Sequence, residues 1–147
     1  KNLAKISKKP GKTKLINHFI INDKILLADL PGYGYAKLSK FESKKINILI
    51  HDYIENRNNL FKVFLLIDIR HEPIKTDLKF IEYLNNIRTG FHIIFTKSDK
   101  IKKSELAKKS KNYIEKIDSH YLDKKFFISS SSTNDGREEI LNFIISD

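Results

Sequence analysis

The chain has 147 residues, 40% of them hydrophobic and 31% charged, which predicts one soluble globular domain with a single buried core. The absence of cysteine excludes disulfides and thiolate metal sites, and we expect neither a membrane span nor a signal peptide because no apolar run is long enough. The net charge of +10 suits a polyanion such as RNA, but the abundance of Lys, Asn and Ile fits genomic bias equally well.

The first predicted elements are a hairpin and a helix. Residues 15–21 and 24–28 are apolar and rich in β-formers, and the Asn22-Asp23 pair between them is a turn signal. Apolar residues then recur at helical spacing and predict an amphipathic helix. These are Ile46, Leu49, Ile50, Tyr53 and Ile54.

A strand and a helix follow in the middle of the chain. The continuous apolar run 63–67 predicts a parallel strand buried on both faces. Thr76 is a plausible N-cap for the next helix. The apolar side of that helix consists of Phe80, Ile81, Leu84 and Ile87.

The last third repeats the strand and helix pattern twice. Strands are predicted at 91–95 and 126–128, with a helix from Ser104 through Ile117 between them. Asp135-Gly136 breaks the chain before a final helix. The inward residues of the two helices are Leu106, Tyr113, Ile114, Ile117, Ile140, Leu141 and Ile144.

Alternating strands and helices predict a three-layer α/β fold with a mostly parallel sheet and helices on both faces. Ligands of such folds bind beyond the carboxyl ends of the strands. Asp29, Asp68, Thr96 and Ser129 each follow or end a predicted strand. We therefore expect these four residues to meet at one edge.

Asp29-Leu30-Pro31-Gly32 is a D-x-x-G sequence at a strand end. In nucleotide-binding proteins such an acid holds magnesium, usually through water, and the glycine lets a backbone N–H approach the γ-phosphate. The alternative is an ordinary turn, because Pro-Gly is a common turn dipeptide.

Thr96-Lys97-Ser98-Asp99 ends the strand at 91–95 and has the form of a guanine-reading motif. The Asp99 carboxylate would accept two N–H groups of the base, and the Lys97 stem would pack along the nucleotide. Ser129, Ser130 and Ser131 follow the last strand, where a backbone N–H could contact the guanine oxygen. A surface turn and a plain serine-rich loop are the respective alternatives.

Gly11-Lys12-Thr13 resembles the end of a Walker A loop, but the first glycine of that motif would fall at Ile6. A strand follows it rather than a helix. We interpret the segment as a switch in which Thr13 coordinates magnesium; the alternative is a flexible basic loop. The five histidines are scattered and form no metal or catalytic pattern.

Together these motifs resemble the EngB family (YihA or YsxC), ribosome-biogenesis GTP-binding proteins among the Era-like P-loop GTPases. The most specific segments are D-L-P-G-Y-G-Y-A at 29–36 and D-I-R-H-E-P at 68–73, together with S-K-K-P-G-K-T at 7–13. The resemblance covers the whole chain, so 1–147 is expected to be one EngB-type G domain, N-terminally incomplete.

The resemblance implies GTP/GDP and Mg²⁺ binding, slow GTP hydrolysis, assembly of the large ribosomal subunit through rRNA, and normal bacterial cell division and septation. It implies a monomer in the bacterial cytoplasm or an organelle, with neither DNA nor membrane as a partner. By position, the nucleotide site would include Gly11, Lys12, Thr13, Lys14 and Leu15 as the switch, residues 29–32 at the γ-phosphate, and residues 96–99 and 129–131 at guanine. Magnesium would be held by Thr13 and, through water, by Asp29.

Two departures qualify these expectations. The first strand and the phosphate loop of the family are absent from residues 1–147, so this chain alone is expected to be inactive. Tyr33 stands where Ras-like enzymes have a water-orienting Gln, and no catalytic residue can be named. The alternative function is a nucleotide-free, GTPase-like module that docks on RNA or the ribosome.

Overall fold

The computed structural model describes residues 15–21, 23–33, 39–117 and 125–146. The chain divides into two compact units, Lys1–Asn59 and Leu60–Asp147. Within the described ranges, no helix is long and apolar enough to cross a membrane.

The first unit contains the predicted hairpin. Strands β1 (Asn17–Ile21) and β2 (Ile25–Asp29) pair antiparallel, and Asn17 lies opposite Asp29. Asp23 in the turn has φ 54°, a left-handed conformation that Asp tolerates better than most residues. The turn signal and the apolar flanks were therefore sufficient to predict this element.

Helix α1 (Lys40–Asn56) also belongs to the first unit. Its start is fixed by a capping box, because the Ser39 hydroxyl accepts the Glu42 N–H and the Glu42 carboxylate accepts the Ser39 N–H, each at 3.2 Å. The buried positions are spaced four residues apart, as the predicted amphipathic helix requires. They are Ile46, Ile50 and Ile54.

The second unit is built on a parallel sheet in the order β3-β4-β5. Its strands are β3 (Val63–Asp68), β4 (Phe91–Thr96) and β5 (Phe126–Ile128). The helices of this unit are α2 (Lys75–Asn86), α3 (Lys103–Lys116) and α4 (Arg137–Ile145). Strand β4 lies between the other two, and Phe91, Ile93 and Phe95 are at most 1% exposed.

Helices cover both faces of this sheet. On one face, Phe143 of α4 packs against Phe64 and Phe127, with ring centroids 6.2 and 5.1 Å away. On the other, Phe95 makes an edge contact with Tyr113 of α3 at 5.3 Å. The three layers predicted from the strand and helix pattern are therefore present in the second unit.

Two sequence expectations need correction here. Strand β3 is not buried on both faces, because the Leu66 side chain is 63% exposed and only β4 pairs with β3 among the described residues. Thr76 does not cap α2. The N-cap is Ile74, whose carbonyl accepts the Leu78 N–H at 3.1 Å. Asp77 lies in the first turn, where its negative charge interacts favourably with the helix dipole.

Candidate functional site

The guanine-reading motif predicted at 96–99 lies in a tight turn directly after β4. Lys97 adopts the left-handed conformation with φ 62°, and Ser98–Lys100 form a single 3-10 turn. The Lys100 N–H donates to the Lys97 carbonyl at 3.0 Å, and the Ser98 N–H donates to the Ser129 carbonyl at 3.2 Å. The turn is thus tied to the loop that follows β5.

Asp99 is the central acid of this turn. Its Oδ1 accepts the Ser130 hydroxyl at 2.6 Å, and its Oδ2 pairs with Lys100 Nζ at 2.8 Å. Lys100, and then the Ser130 hydroxyl, lower the pKa of Asp99, so the group is ionised at neutral pH. Each carboxylate oxygen has two acceptor positions, which leaves capacity for two further N–H donors such as those of a guanine edge.

Ser130 supports Asp99 from inside the protein. Ser130 is only 1% exposed. Its Oγ also accepts hydrogen bonds from the N–H groups of Ser132 at 3.1 Å and Thr133 at 3.3 Å. Two incoming N–H groups leave the hydroxyl hydrogen directed to Asp99. Ser130 therefore orients the acid through its side chain.

The backbone N–H groups of the three predicted serines at 129–131 differ in their hydrogen bonding. The Ser129 N–H donates to the Phe95 carbonyl at 2.7 Å, and the Ser130 N–H donates to the Asp135 carbonyl at 3.2 Å. The Ser131 N–H has no hydrogen bond to any residue that the structure describes. It is accordingly the N–H of this loop that remains available to an outside acceptor.

Lys97 is held by an acid from the neighbouring strand. Its Nζ lies 2.7 Å from Oδ2 of Asp68, the residue that pairs with Thr96 in the β3–β4 register. Arg70 donates from Nε and from its terminal guanidinium nitrogen to the same carboxylate at 2.9 and 2.7 Å. Thr96 itself donates from its hydroxyl to the Ile67 carbonyl at 3.1 Å, so it joins the strand ends.

The D-x-x-G residues lie in the first unit. Asp29 ends β2 with an exposed side chain, Pro31 is buried, and Leu30 and Gly32 are half-buried. Of the predicted switch, Leu15 is 73% exposed, whereas Gly11, Lys12, Thr13 and Lys14 lie outside the described residues. Asp68, Thr96 and Ser129 are brought together at one sheet edge as expected; Asp29 belongs to the other unit.

Of the two predicted magnesium ligands, Thr13 lies outside the described residues and Asp29 lies within them. The described residues contain no group of three His, Asp or Glu that could bind a metal by themselves. Magnesium typically takes one or two protein carboxylates and completes its shell with phosphate and water. The exposed Asp29 carboxylate is the one group of the predicted metal site that the structure describes, and it suits that role.

Sequence reasoning missed two supporting residues. Ser130 was predicted as a nucleotide contact rather than as the partner of Asp99, and Asp68 was noted at a strand end without its pairing to Lys97. The signal for Asp68 was available, because in-register parallel strands place the residues at their carboxyl ends side by side. The signal for Ser130 was not, since a loop conformation sets its rotamer.

Known proteins match this chain over most of its length. A family model described as "50S ribosome-binding GTPase" matches residues 1–97. "Probable GTP-binding protein EngB" of Flavobacterium johnsoniae is 46% identical over 146 residues, which are 98% of this chain and 70% of the relative. The protein of the same name from Porphyromonas gingivalis is 45% identical over 145 residues, which are 98% of this chain and 72% of the relative.

A solved structure supports the architecture. "Crystal structure of a probable GTP-binding protein engB" superimposes with a TM-score of 0.69 and covers 90% of this chain and 82% of that chain. The sequence identity is 23%, so this match shows the fold alone.

Proposed function

The chain belongs to the EngB family of GTP-binding proteins, and from this premise we propose that it is a GTPase switch for assembly of the large ribosomal subunit. The fold is that of the P-loop GTPases, as the sequence predicted, and GTP and GDP are the ligands of the family. We further propose that Mg²⁺ accompanies the nucleotide and that the switch serves normal cell division and septation in bacteria.

The paired loops after β4 and β5 carry the proposal. An ionised Asp99, oriented by a buried Ser130 hydroxyl, stands beside a loop whose Ser131 N–H is unused within the described part of the chain. Guanine offers two N–H donors and one carbonyl acceptor along its edge, so an acid and an N–H match that pattern. Adenine presents no such pair of donors to a carboxylate, which is the basis for selectivity.

The other predicted site residues are assigned to the base, the γ-phosphate and the magnesium ion. Lys97 borders the base, Asp29–Gly32 face the γ-phosphate, and Thr13 joins Asp29 at the magnesium. Bound magnesium would neutralise phosphate charge. The protein's own contribution is to place the Asp29 carboxylate at the exposed end of β2.

Hydrolysis is proposed to be slow without a partner. The residue after Gly32 is Tyr33, which lacks the amide that orients water in Ras-like enzymes. The 147 residues also contain no G-x-x-x-x-G-K-[ST] sequence, so alone they are expected to bind nucleotide weakly and to be inactive. Fast turnover by the isolated full-length protein would contradict this part of the scheme.

One experiment tests nucleotide binding. The full-length protein is titrated with fluorescent GDP, and GTP, ATP and XTP are used as competitors. We expect GTP to displace the probe and ATP and XTP to fail at the same concentrations. If none of the nucleotides binds to a folded protein, the alternative of a nucleotide-free docking module, with which the net charge of +10 is compatible, becomes the better account.

A second experiment tests the ribosomal partner. Binding of the full-length protein to purified large ribosomal subunits is measured with GTP and with GDP at several salt concentrations. We expect tighter binding with GTP and a steep salt dependence, which should flatten when Lys8, Lys9, Lys12 and Lys14 are changed to Gln. An unchanged salt slope would remove these lysines from the interface, and equal binding with both nucleotides would contradict a switch.

A further inference from the structure

The carboxylate of Asp68 stands at the carboxyl end of β3 and collects cations from two segments. It accepts Lys97 Nζ at 2.7 Å from the turn after β4, and a bidentate pair of hydrogen bonds from Arg70, two residues along its own chain. The Arg70 N–H also donates to its Oδ1 at 3.2 Å. The Asp68 side chain is 22% exposed, whereas the Lys97 and Arg70 side chains that pair with it are 52% and 42% exposed.

The segment after Asp68 is anchored on helix α3. Lys109 Nζ donates to the Arg70 carbonyl at 3.1 Å, and Lys116 pairs with Glu72. These contacts hold Arg70 in place, and Arg70 in turn fixes both oxygens of Asp68. The acid that receives Lys97 is therefore itself oriented by Arg70.

Lys97 is fixed at both ends by this arrangement. Its backbone is locked in the left-handed conformation between β4 and the Ser98 N–H, which is bonded to the loop after β5. A lysine side chain otherwise has four rotatable bonds and loses considerable rotamer entropy when it is held. Because Asp68 holds the ammonium group, the methylene stem between the two ends has little freedom left.

We propose that Asp68 is a positioning residue for guanine-nucleotide binding. It holds Lys97 so that the apolar stem forms a preformed wall of the base site, two residues from the Asp99 that reads the base edge. The proposal rests on the proposed function, because it assigns a role within that nucleotide site. Binding then loses less side-chain entropy than it would with a mobile lysine.

A double-mutant cycle in the full-length protein tests this role. Dissociation constants for fluorescent GDP are measured for the wild type, Asp68→Asn, Lys97→Met and the double variant. We expect Asp68→Asn to weaken binding about tenfold when Lys97 is present and less than about twofold in the Lys97→Met background. A merely structural acid would lower affinity equally in both backgrounds.

Matched controls separate local from general effects. Glu115→Gln removes an exposed acid of α3 that pairs with Lys111 and not with Lys97, Arg70 or Asp68, so its affinity for GDP should equal that of the wild type. Urea unfolding verifies that each variant is folded. If Asp68→Asn does not fold, Asp68→Glu keeps the charge but displaces it by one methylene, and it enters the same cycle in its place.

The outcomes distinguish failure of nucleotide binding from failure of the positioning role of Asp68. If the folded wild type binds no guanine nucleotide, the proposed function fails and this inference fails with it. If the wild type binds GDP but the cycle shows no coupling between positions 68 and 97, only the positioning role of Asp68 is refuted.

Discussion

Gly136 links the β5 loop to helix α4, and its replacement by alanine should destabilise the second unit strongly. Gly136 has φ 73°, a left-handed conformation that glycine adopts freely. A Cβ at this position would lie 2.0 Å from the Ile128 carbonyl oxygen, whereas real Cβ contacts essentially never fall below 3.0 Å. The backbone of one or both segments would have to move by about an ångström to relieve the clash.

The size of the effect follows from two contributions. The left-handed conformation costs a residue with a Cβ about 1–2 kcal/mol. Moving the Ile128 carbonyl disturbs Ser129, whose N–H bonds to Phe95 and whose carbonyl accepts the Ser98 N–H, and the loss of one such bond costs about 1–1.5 kcal/mol. We therefore expect Gly136→Ala to lower the free energy of unfolding by about 3 kcal/mol, worked from these two contributions.

Urea denaturation of the full-length protein measures this change. With a slope of about 2 kcal/mol per molar urea, the midpoint should fall by about 1.5 M. Gly90→Ala is the matched control, because, apart from its chain neighbours, no described residue has an atom within 4 Å of the Cβ it would add. Its free energy of unfolding should change by less than about 0.5 kcal/mol. Equal stability of the two variants would refute the reasoning about Gly136.

Three further predictions concern side chains near the candidate site. The Ser98 hydroxyl is buried without a hydrogen-bond partner among the described residues, so Ser98→Ala should be neutral or stabilise by up to about 1 kcal/mol in urea unfolding; a clear loss would reveal a partner. Ser130→Ala removes the donor to Asp99 and the acceptor of two N–H groups, so GDP affinity and stability should both fall, and an unchanged GDP affinity would contradict the orienting role. Arg70, then Lys97, lower the pKa of Asp68, so the ionised group stabilises the fold fully above its unfolded pKa of about 3.9, and this stabilisation is lost as the pH falls further. Between about pH 6 and 3 the free energy of unfolding should therefore decline less in Asp68→Asn than in the wild type. Parallel curves for the two proteins would contradict this.

The order of elements could be predicted because local signals agreed with the fold. The Asn22-Asp23 turn, the helical spacing around Ile46 and the apolar run at 91–95 each specify a structure within a short window. The exposure of Leu66 could not be predicted in this way. An apolar run shows that a strand can be buried, but its actual burial depends on which elements lie against it.

The motifs of the candidate site can be recognised in the sequence, but the contacts that support them cannot. The D-x-x-G and T-K-x-D spacings single out Asp29 and Asp99 as candidates, because the proposed chemistry requires an acid at each of those strand ends. The bond from Ser130 to Asp99 and the anchoring of Lys97 by Asp68 join residues 31 and 29 positions apart. Such contacts depend on loop conformation and on the register between strands, which one sequence does not reveal.

The central claim is that Asp99 reads guanine, and changing its carboxylate to an amide tests it most directly. Xanthine carries a carbonyl where guanine has an amino group, so the NH₂ of Asp99→Asn could donate to xanthine, whereas the lost carboxylate would leave a guanine donor unpaired. In competition titrations of full-length Asp99→Asn, the affinity for GTP should fall at least about 100-fold, and the variant should prefer XTP to GTP. Asp52→Asn, the same chemical change in α1, should leave the preference for GTP intact. If Asp99→Asn still prefers GTP, the assignment of Asp99 as the guanine-reading residue is wrong.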